Sequence, residues 1–272
     1  MAEATKRCAV VTGANKGIGF GIVKQLASDG ITVVLTARDE KRGLEAVEKL
    51  KQSGLGGEVV FHQLDVANPS TIAPLAEFIK TQFGKLDILK ETIDWNKVMT
   101  ENYELAKECV QINYYGAQRT TEALIPLLRS SESPRIVNVS SSMGNLNKIP
   151  SDRVKGVFSD VENLTEERID EVLTQFLEDF KEGSLESKGW PSHMSSYILS
   201  KAAMNAYTRI LAKKYPDFRI NCVCPGFVKT DINSNSGVLP VEEGAAKVVK
   251  LAFLPNDGPS GCFFSQNEVT DF

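Results

Sequence analysis

The sequence predicts an α/β fold, one doubly wound parallel sheet with helices on both faces. Three observations predict it. Near the start, the turn Thr12-Gly13-Ala14-Asn15-Lys16-Gly17-Ile18-Gly19 joins the apolar run 8–11 to an apolar-periodic stretch from Phe20 to Ala27. Further on, short apolar runs alternate with stretches of helical period. The run Ile31-Thr-Val-Val-Leu-Thr36 is apolar or β-branched throughout, as expected for a parallel strand buried on both faces. Such alternation builds crossover units, whose ligands lie outside the carboxyl ends of the strands.

The chain has 272 residues, 42% of them hydrophobic, and a net charge of -4. A sheet of this kind uses most of that length, so residues 1–272 read as one domain. The charge gives no electrostatic case for nucleic acid or an anionic membrane. No apolar run approaches the roughly 20 residues that span a bilayer. The polar start, Met1 to Arg7, leads straight into a strand and does not fit a signal peptide. Five cysteines without framework spacing suggest reduced thiols and a cytoplasmic setting. Cys222 and Cys224 are too close for a zinc pair, and strand alternation puts both on one face, in the core. His62 and His193 stand in separate segments, so no metal site is expected.

Each element follows in order. Residues 8–11 are the first strand and 18–28 the first helix, which Gly30 stops. The glycines let the backbone turn tightly and approach a ligand. The helix start beyond them offers N–H groups and a positive dipole end to a pyrophosphate. The second strand ends at Ala37-Arg38-Asp39. An acidic residue at that tip would bind the ribose hydroxyls of NAD, and a basic one accommodates the extra phosphate of NADP. Arg38 comes first and Lys16 sits in the glycine turn, which favours NADP; Asp39 leaves NAD open. Residues 41–52 form a polar helix with Leu44, Val47 and Leu50 as its apolar face. Residues 58–64 are the third strand, closed by Asp65-Val66. The Asp65 carboxylate could accept from the adenine amino group or serve the turn, and the two roles are compatible.

An amphipathic helix covers 70–83. Leu86-Asp-Ile-Leu89 starts a fourth strand and runs into polar Lys90-Glu91-Thr92. Residues 96–112, with Val98, Leu105 and Val110 apolar, read as a helix continuing through Asn113 and Gly116 to Leu128. The fifth strand is 135–140, with Ser141 and Ser142 at its tip. Residues 145–190 contain no apolar strand. Thr165 resembles an N-cap, and Ile169, Val172, Leu173, Phe176, Leu177 and Phe180 fall at helical spacing before Gly183. This is a helical insertion packed on the parent domain. A long helix over 196–214 carries Tyr197 and Lys201. Residues 219–224 are the sixth strand, 225–231 a loop, 240–253 a helix and 262–264 the last strand.

Tyr197 and Lys201 are four apart, so they share a helix face. An ammonium beside a phenol favours the phenolate and would lower its pKa from about 10, giving a usable acid or base. The hydroxyls of Ser140, Ser141 and Ser142 stand at a strand tip, and alternation alone does not choose among them. At Asn113, a break in the helix would free backbone groups and let the amide hold a water.

Taken together, Thr12-Gly13-x-x-x-Gly17-x-Gly19, Asp65-Val66, Asn113, Asn138-Val-Ser-Ser141, Tyr197-x-x-x-Lys201 and Pro225-Gly226-x-x-x-Thr230 stand in the order of the classical short-chain dehydrogenase/reductases. The chain resembles that family over nearly its whole length. It is closest to the carbonyl-reductase branch with its plant reductases, on the evidence of Arg38, the 145–190 insertion, Gly189-Trp190-Pro191 and Glu242-Glu243-Gly244-Ala245. The resemblance implies a Rossmann-type sheet, NADP(H), and reduction of a ketone or aldehyde of a hydrophobic small molecule, such as a terpenoid, alkaloid or xenobiotic carbonyl. It implies that Tyr197 protonates the carbonyl oxygen, Lys201 lowers the tyrosine pKa and holds the nicotinamide ribose, Ser141 polarises the carbonyl, and Asn113 holds a relay water. Cofactor contacts would come from Gly13, Asn15, Lys16, Gly17, Ile18, Gly19, Arg38, Asp65, Val66, Tyr197, Lys201, Pro225, Gly226, Val228 and Thr230. The insertion covers the surface that related enzymes use to oligomerise, which implies a monomer.

One departure stands out. The family's fourth strand continues into Asn-Asn-Ala-Gly, whereas Leu89 here is followed by Lys90-Glu91-Thr92. That motivates an alternative, a non-catalytic NADP-binding homologue. A further alternative is a partner-binding protein that uses the apolar face of 166–182.

Overall fold

A computed structural model describes residues 7–91 and 102–271 of the chain. Among the described residues the strands are β1 (Cys8–Val11), β2 (Thr32–Ala37), β3 (Val59–Gln63), β4 (Ile88–Glu91), β5 (Arg135–Val139), β6 (Arg219–Val223), β7 (Phe263–Ser265) and β8 (Glu268–Thr270). They form one sheet in the order β3-β2-β1-β4-β5-β6-β7-β8. Pairing is parallel from β3 to β7, and β8 returns antiparallel on β7. The sheet is thus mostly rather than wholly parallel. The added hairpin turns at Gln266 and Asn267, both at positive φ (50° and 70°). Two such residues make a primed turn, whose usual sequence signal is Asn-Gly or Asp-Gly. Gln-Asn lacks that signal.

Alternate residues of each inner strand feed two separate cores, as the pleat requires. Cys8, Val10, Val34, Leu89 and Ile136 face one core, and Ala9, Val11, Val33, Leu35 and Ile88 face the other. On the second face lie α1 (Gly17–Ser28), α2 (Glu40–Lys51) and α9 (Val241–Ala252). On the first lie α3 (Ile72–Phe83), α4 (Tyr103–Val110), α5 (Ala117–Leu128), α6 (Asp152–Ser159), α7 (Glu166–Lys181) and α8 (Ser195–Lys214). The continuous apolar runs in the sequence thus reflect strands covered on both sides.

Two stretches differ from the sequence expectation. The fourth strand begins later than Leu86 and runs through Lys90 to Glu91. Lys90 is only 1% exposed and lies in register with Val11 on β1 and Val137 on β5. Backbone pairing with two flanking parallel strands carries the ladder through a residue whose polarity argued against it. Thr92 and Val98 lie outside the described residues. The helix expected through Asn113 is interrupted. Between α4 and α5, Gln111–Gly116 forms a π-helical turn, and the Cβ of any larger residue at Gly116 would stand 3.0 Å from Val66 Cβ.

The insertion contains two helices, α6 and α7. Thr165 caps α7 by accepting from Arg168 N, and Gly183 follows its end at φ +69°. Ile169, Val172, Leu173 and Phe176 are buried, with Leu177 and Phe180 half-buried against them. Each such buried side chain contributes about 1.5–3 kcal/mol. The stripe packs towards α4 and α8, so this face is not open to a partner. Asp179 fixes the far end: its carboxylate accepts from Trp190 Nε1 (2.7 Å), Gln175 Nε2 (2.9 Å) and Lys188 Nζ (2.9 Å).

Candidate active site

The order of pairing places a topological switch between β1 and β4, where successive connections leave in opposite directions. The glycine turn sits on these strand ends. Thr12 N donates to Lys90 O and Ala14 N to Thr36 O, both at 2.8 Å. Gly13 and Gly17 have φ of +56° and +58°, where a side chain is strained. A Cβ on Gly19 would stand 2.7 Å from Gly13 O, so glycine there lets the helix start press onto the turn. Helix α1 carries no side-chain cap and no acidic residue in its first turn. Its N–H groups and positive dipole end therefore remain for an anion. Asn15 and Ile18 are half-buried in this turn, and Lys16 is exposed.

The loop after β6 arches back over the turn. Pro225 is buried, Gly226 has φ +91°, and the bridge between Val228 and Leu239 closes the loop. Val228 and Thr230 are buried. Thr230 Cγ2 stands 3.5 Å from where a Cβ on Gly17 would be, and Lys16 Nζ meets Asp231 Oδ2 at 3.4 Å. At the tip of β2, Arg38 is exposed. Asp39 is the N-cap of α2 and accepts from Arg42 N at 2.9 Å. That bond engages one oxygen of the carboxylate that left NAD open. Asp65 serves its turn by accepting from Ala67 N at 3.1 Å. It is half-buried, and so is Val66, which backs the π turn at Gly116. A glycine cradle under an uncapped helix start, with two exposed cations beside it and the competing acid engaged, fits a dinucleotide that carries a further phosphate.

Tyr197 and Lys201 are fully buried on α8. Ser141, just beyond β5, is buried and accepts from Met143 N at 3.1 Å. Of the three serines, Ser142 is exposed. The strand end is held against the helix by Gly144: a Cβ there would stand 2.7 Å from Lys201 Cβ and 2.8 Å from the Lys201 carbonyl carbon. Lys201 Nζ donates to Val139 O at 2.7 Å and lies 6.0 Å from the Tyr197 ring centroid. The fold corrects one expectation here. Burial pushes the Tyr197 phenol well above its ordinary range, and Cys224 and Cys109 add to this; the Ser141 hydroxyl acts the other way. Removing a phenolate from water outweighs the neighbouring donors.

Asn113, in the π turn, is buried and bonds to Ser200 Oγ, which in turn bonds to the Tyr197 carbonyl. The structure thus brings Ser141, Tyr197 and Lys201 together and joins Asn113 to them through Ser200. Arg38 and Asp65 stand apart from them, on the β2–β3 side of the switch. Sequence reasoning missed Gly144, Ser200, Cys109, Met143 and Met194. Cys109, Met143 and Met194 pack around the Tyr197 ring. Met194 precedes α8 in a left-handed conformation, φ +51°. Spacing held one usable signal: Cys109 is one helical turn before Asn113.

A family model described as short chain dehydrogenase matches residues 7–152, and one described as Enoyl-(Acyl carrier protein) reductase matches 183–258. Most of the insertion falls between the two matches. The (+)-neomenthol dehydrogenase of Arabidopsis thaliana is 58% identical over 296 residues, covering 100% of both chains. That alignment is longer than the 272-residue chain, so the relative carries residues absent here. Carbonyl reductase [NADPH] 1 of Rattus norvegicus is 37% identical over 274 residues, covering 96% of both. The solved structure of salutaridine reductase from Papaver somniferum superposes with a TM-score of 0.90 at 50% identity, over 96% of this chain and 100% of that one. With the glycine cradle, the buried Tyr197–Lys201 pair and these full-length likenesses in hand, the chain belongs to the short-chain dehydrogenase/reductase family.

Proposed function

We propose that this protein reduces the ketone or aldehyde of a hydrophobic small molecule to an alcohol, with NADPH as reductant. One observation carries the reading: the buried Tyr197, on the first turn of α8, lies with Lys201 and the buried Ser141 at the strand ends that the glycine turn also occupies. The relatives' names, a neomenthol dehydrogenase, a salutaridine reductase and an NADPH carbonyl reductase, point the same way. They give the non-catalytic alternative no support.

NADPH, when bound, supplies the hydride. Gly13, Asn15, Gly17, Ile18 and Gly19 would cradle its pyrophosphate, and Lys16 and Arg38 its additional phosphate. Asp65 and Val66 would border the adenine, and Pro225, Gly226, Val228 and Thr230 the nicotinamide. Ser141 donates to the substrate carbonyl oxygen, and Tyr197 gives that oxygen its proton. A phenol whose pKa is raised by burial still holds that proton at neutral pH, which is the form reduction needs. Lys201 holds the ribose and, with a water on Asn113, returns a proton to Tyr197. Met143, Met194 and Cys109 give the tyrosine an apolar surround suited to an apolar ketone. Residues 1–272 act as one domain and as a monomer. The cytoplasm is the proposed location, supported by free cysteines and by the lack, among the described residues, of a helix long and apolar enough to cross a membrane.

The test is Tyr197→Phe. NADPH oxidation with a panel of alicyclic ketones should fall by more than about 100-fold, while NADPH affinity by fluorescence stays unchanged. Full turnover in that variant overturns the reading.

A further inference from the structure

Three arginines stand where strands begin, at the edge of the sheet opposite the glycine turn. Arg7 precedes β1, Arg135 opens β5, and Arg219 opens β6 in register with Arg135. Alternation puts all three on the face that α9 covers, with Ala9, Val137 and Val223 of the same strands. Arg135 is 2% exposed. It donates through Nε to Leu254 O (3.0 Å), through Nη1 to Pro134 O (3.1 Å) and through Nη2 to Asn256 Oδ1 (2.8 Å). Arg7 Nη2 reaches Ala252 O, at the end of α9, at 3.4 Å. Every one of these acceptors is neutral. Arg7 and Arg219 are half-buried, and the Nε–H of each is buried without a hydrogen-bond partner among the described residues. No described carboxylate pairs with any of the three. Burial, then Arg7 and Arg219, lower the Arg135 pKa from 12.5 to about 10, so it is still a cation at neutral pH. The carbonyl end of α9 offsets about half a unit charge, against three guanidiniums. Buried charge is ordinarily paired, and here the counter-charge is missing from the chain's own described side chains.

We propose that this edge of the sheet binds a phosphate-type oxyanion, held by Arg7 and Arg219 in front of the buried charge of Arg135. A guanidinium presents Nε–H and Nη–H side by side, which matches two oxygens of such an anion. Bound this way, the anion gives each orphaned Nε–H an acceptor and supplies the absent negative charge. A carboxylate has oxygens for one fork, whereas a tetrahedral oxyanion has enough for two. Chloride offers a single charge and no fork geometry. The site is separate from the one that would take the cofactor's phosphates. The 12 residues of α9 span about 18 Å between the loop that arches over the glycine turn and these arginines.

The experiment is run with NADPH in excess, so that the glycine turn, Lys16 and Arg38 are already engaged. Inorganic phosphate is titrated against sodium chloride of equal ionic strength. The readouts are the melting temperature and the arginine Nε–Hε signals in NMR. With phosphate about tenfold above its Kd, the protein should melt about 2 °C higher than in chloride. The Arg7 and Arg219 signals should shift along one saturable curve. Arg219→Gln should weaken phosphate binding by about tenfold or more, and Arg219→Lys, which keeps the charge without the fork, should fall between the two. Arg38→Ala should leave the phosphate response unchanged; its loss there would put the anion at the cofactor's end and overturn the site. Equal melting in phosphate and chloride would mean that salt merely screens the arginines, and the proposal fails. It fails too if the phosphate response survives Arg219→Gln. Should that variant itself melt much lower, the titration is read from the Arg7 signal well below its melting temperature. A lost response there supports the site, and an unaltered affinity overturns it.

Discussion

The acid strength of Tyr197 is set by competition between burial and neighbouring donors. The Y-x-x-x-K spacing places the two side chains on one face but does not say where the ammonium goes. In the fold it goes to the carbonyl of Val139, and the phenol is left with the full penalty of leaving water, only partly offset by Ser141. A second residue-scale consequence concerns the cofactor. Asp39 is engaged as a helix cap, whereas Arg38 stands exposed beside the glycine turn. Arg38→Ala should therefore raise the Kd for NADPH about tenfold, roughly 1.4 kcal/mol, with little change for NADH. Titration of both cofactors by fluorescence checks this, and an equal loss for the two would show that Arg38 does not read the additional phosphate.

At the scale of elements, the insertion is held by its apolar stripe at one end and by Asp179 at the other. Burial raises the pKa of Asp179, but bonds from Lys188, Trp190 and Gln175 outweigh it, and the net shift is downward from 3.8. A carboxyl lowered in the folded state adds stability above its unfolded pKa and loses it as pH falls through the folded value. Asp179→Asn should therefore melt a few degrees lower at neutral pH, and its melting temperature should fall less steeply below about pH 4. Melting curves from acid to neutral pH decide it; parallel curves would mean that the carboxylate charge contributes nothing. The π turn belongs to this scale as well. Periodicity read one helix through 96–128 because apolar spacing is nearly the same on both sides of Asn113. Within this turn Gly116 lies close against Val66, a contact that no local pattern encodes.

For the whole molecule, the question is which surfaces the insertion covers. Helix α7 packs towards α4 and α8, burying Ile169, Val172, Leu173 and Phe176 within the core that those helices share. Surfaces covered in this way are not available to a second copy, so sedimentation velocity should give a single species at 29.8 kDa that does not grow with concentration. A shift to twice that mass on concentrating the protein would show that another face associates.

The sequence by itself determined the strand–helix alternation, the glycine cradle and the spacing of Tyr197 and Lys201, while the family resemblance singled out Asn113 and Ser141 as candidates. These are legible because each depends on residue type at fixed local spacing. Tertiary structure alone decided that Lys90 continues a buried strand and that Ser200, on α8, holds the Asn113 amide. In each of these cases the deciding partner lies on another strand, another helix or a facing loop. The energy of backbone pairing and of buried hydrogen bonds across such distances overrides what a residue prefers among its immediate neighbours.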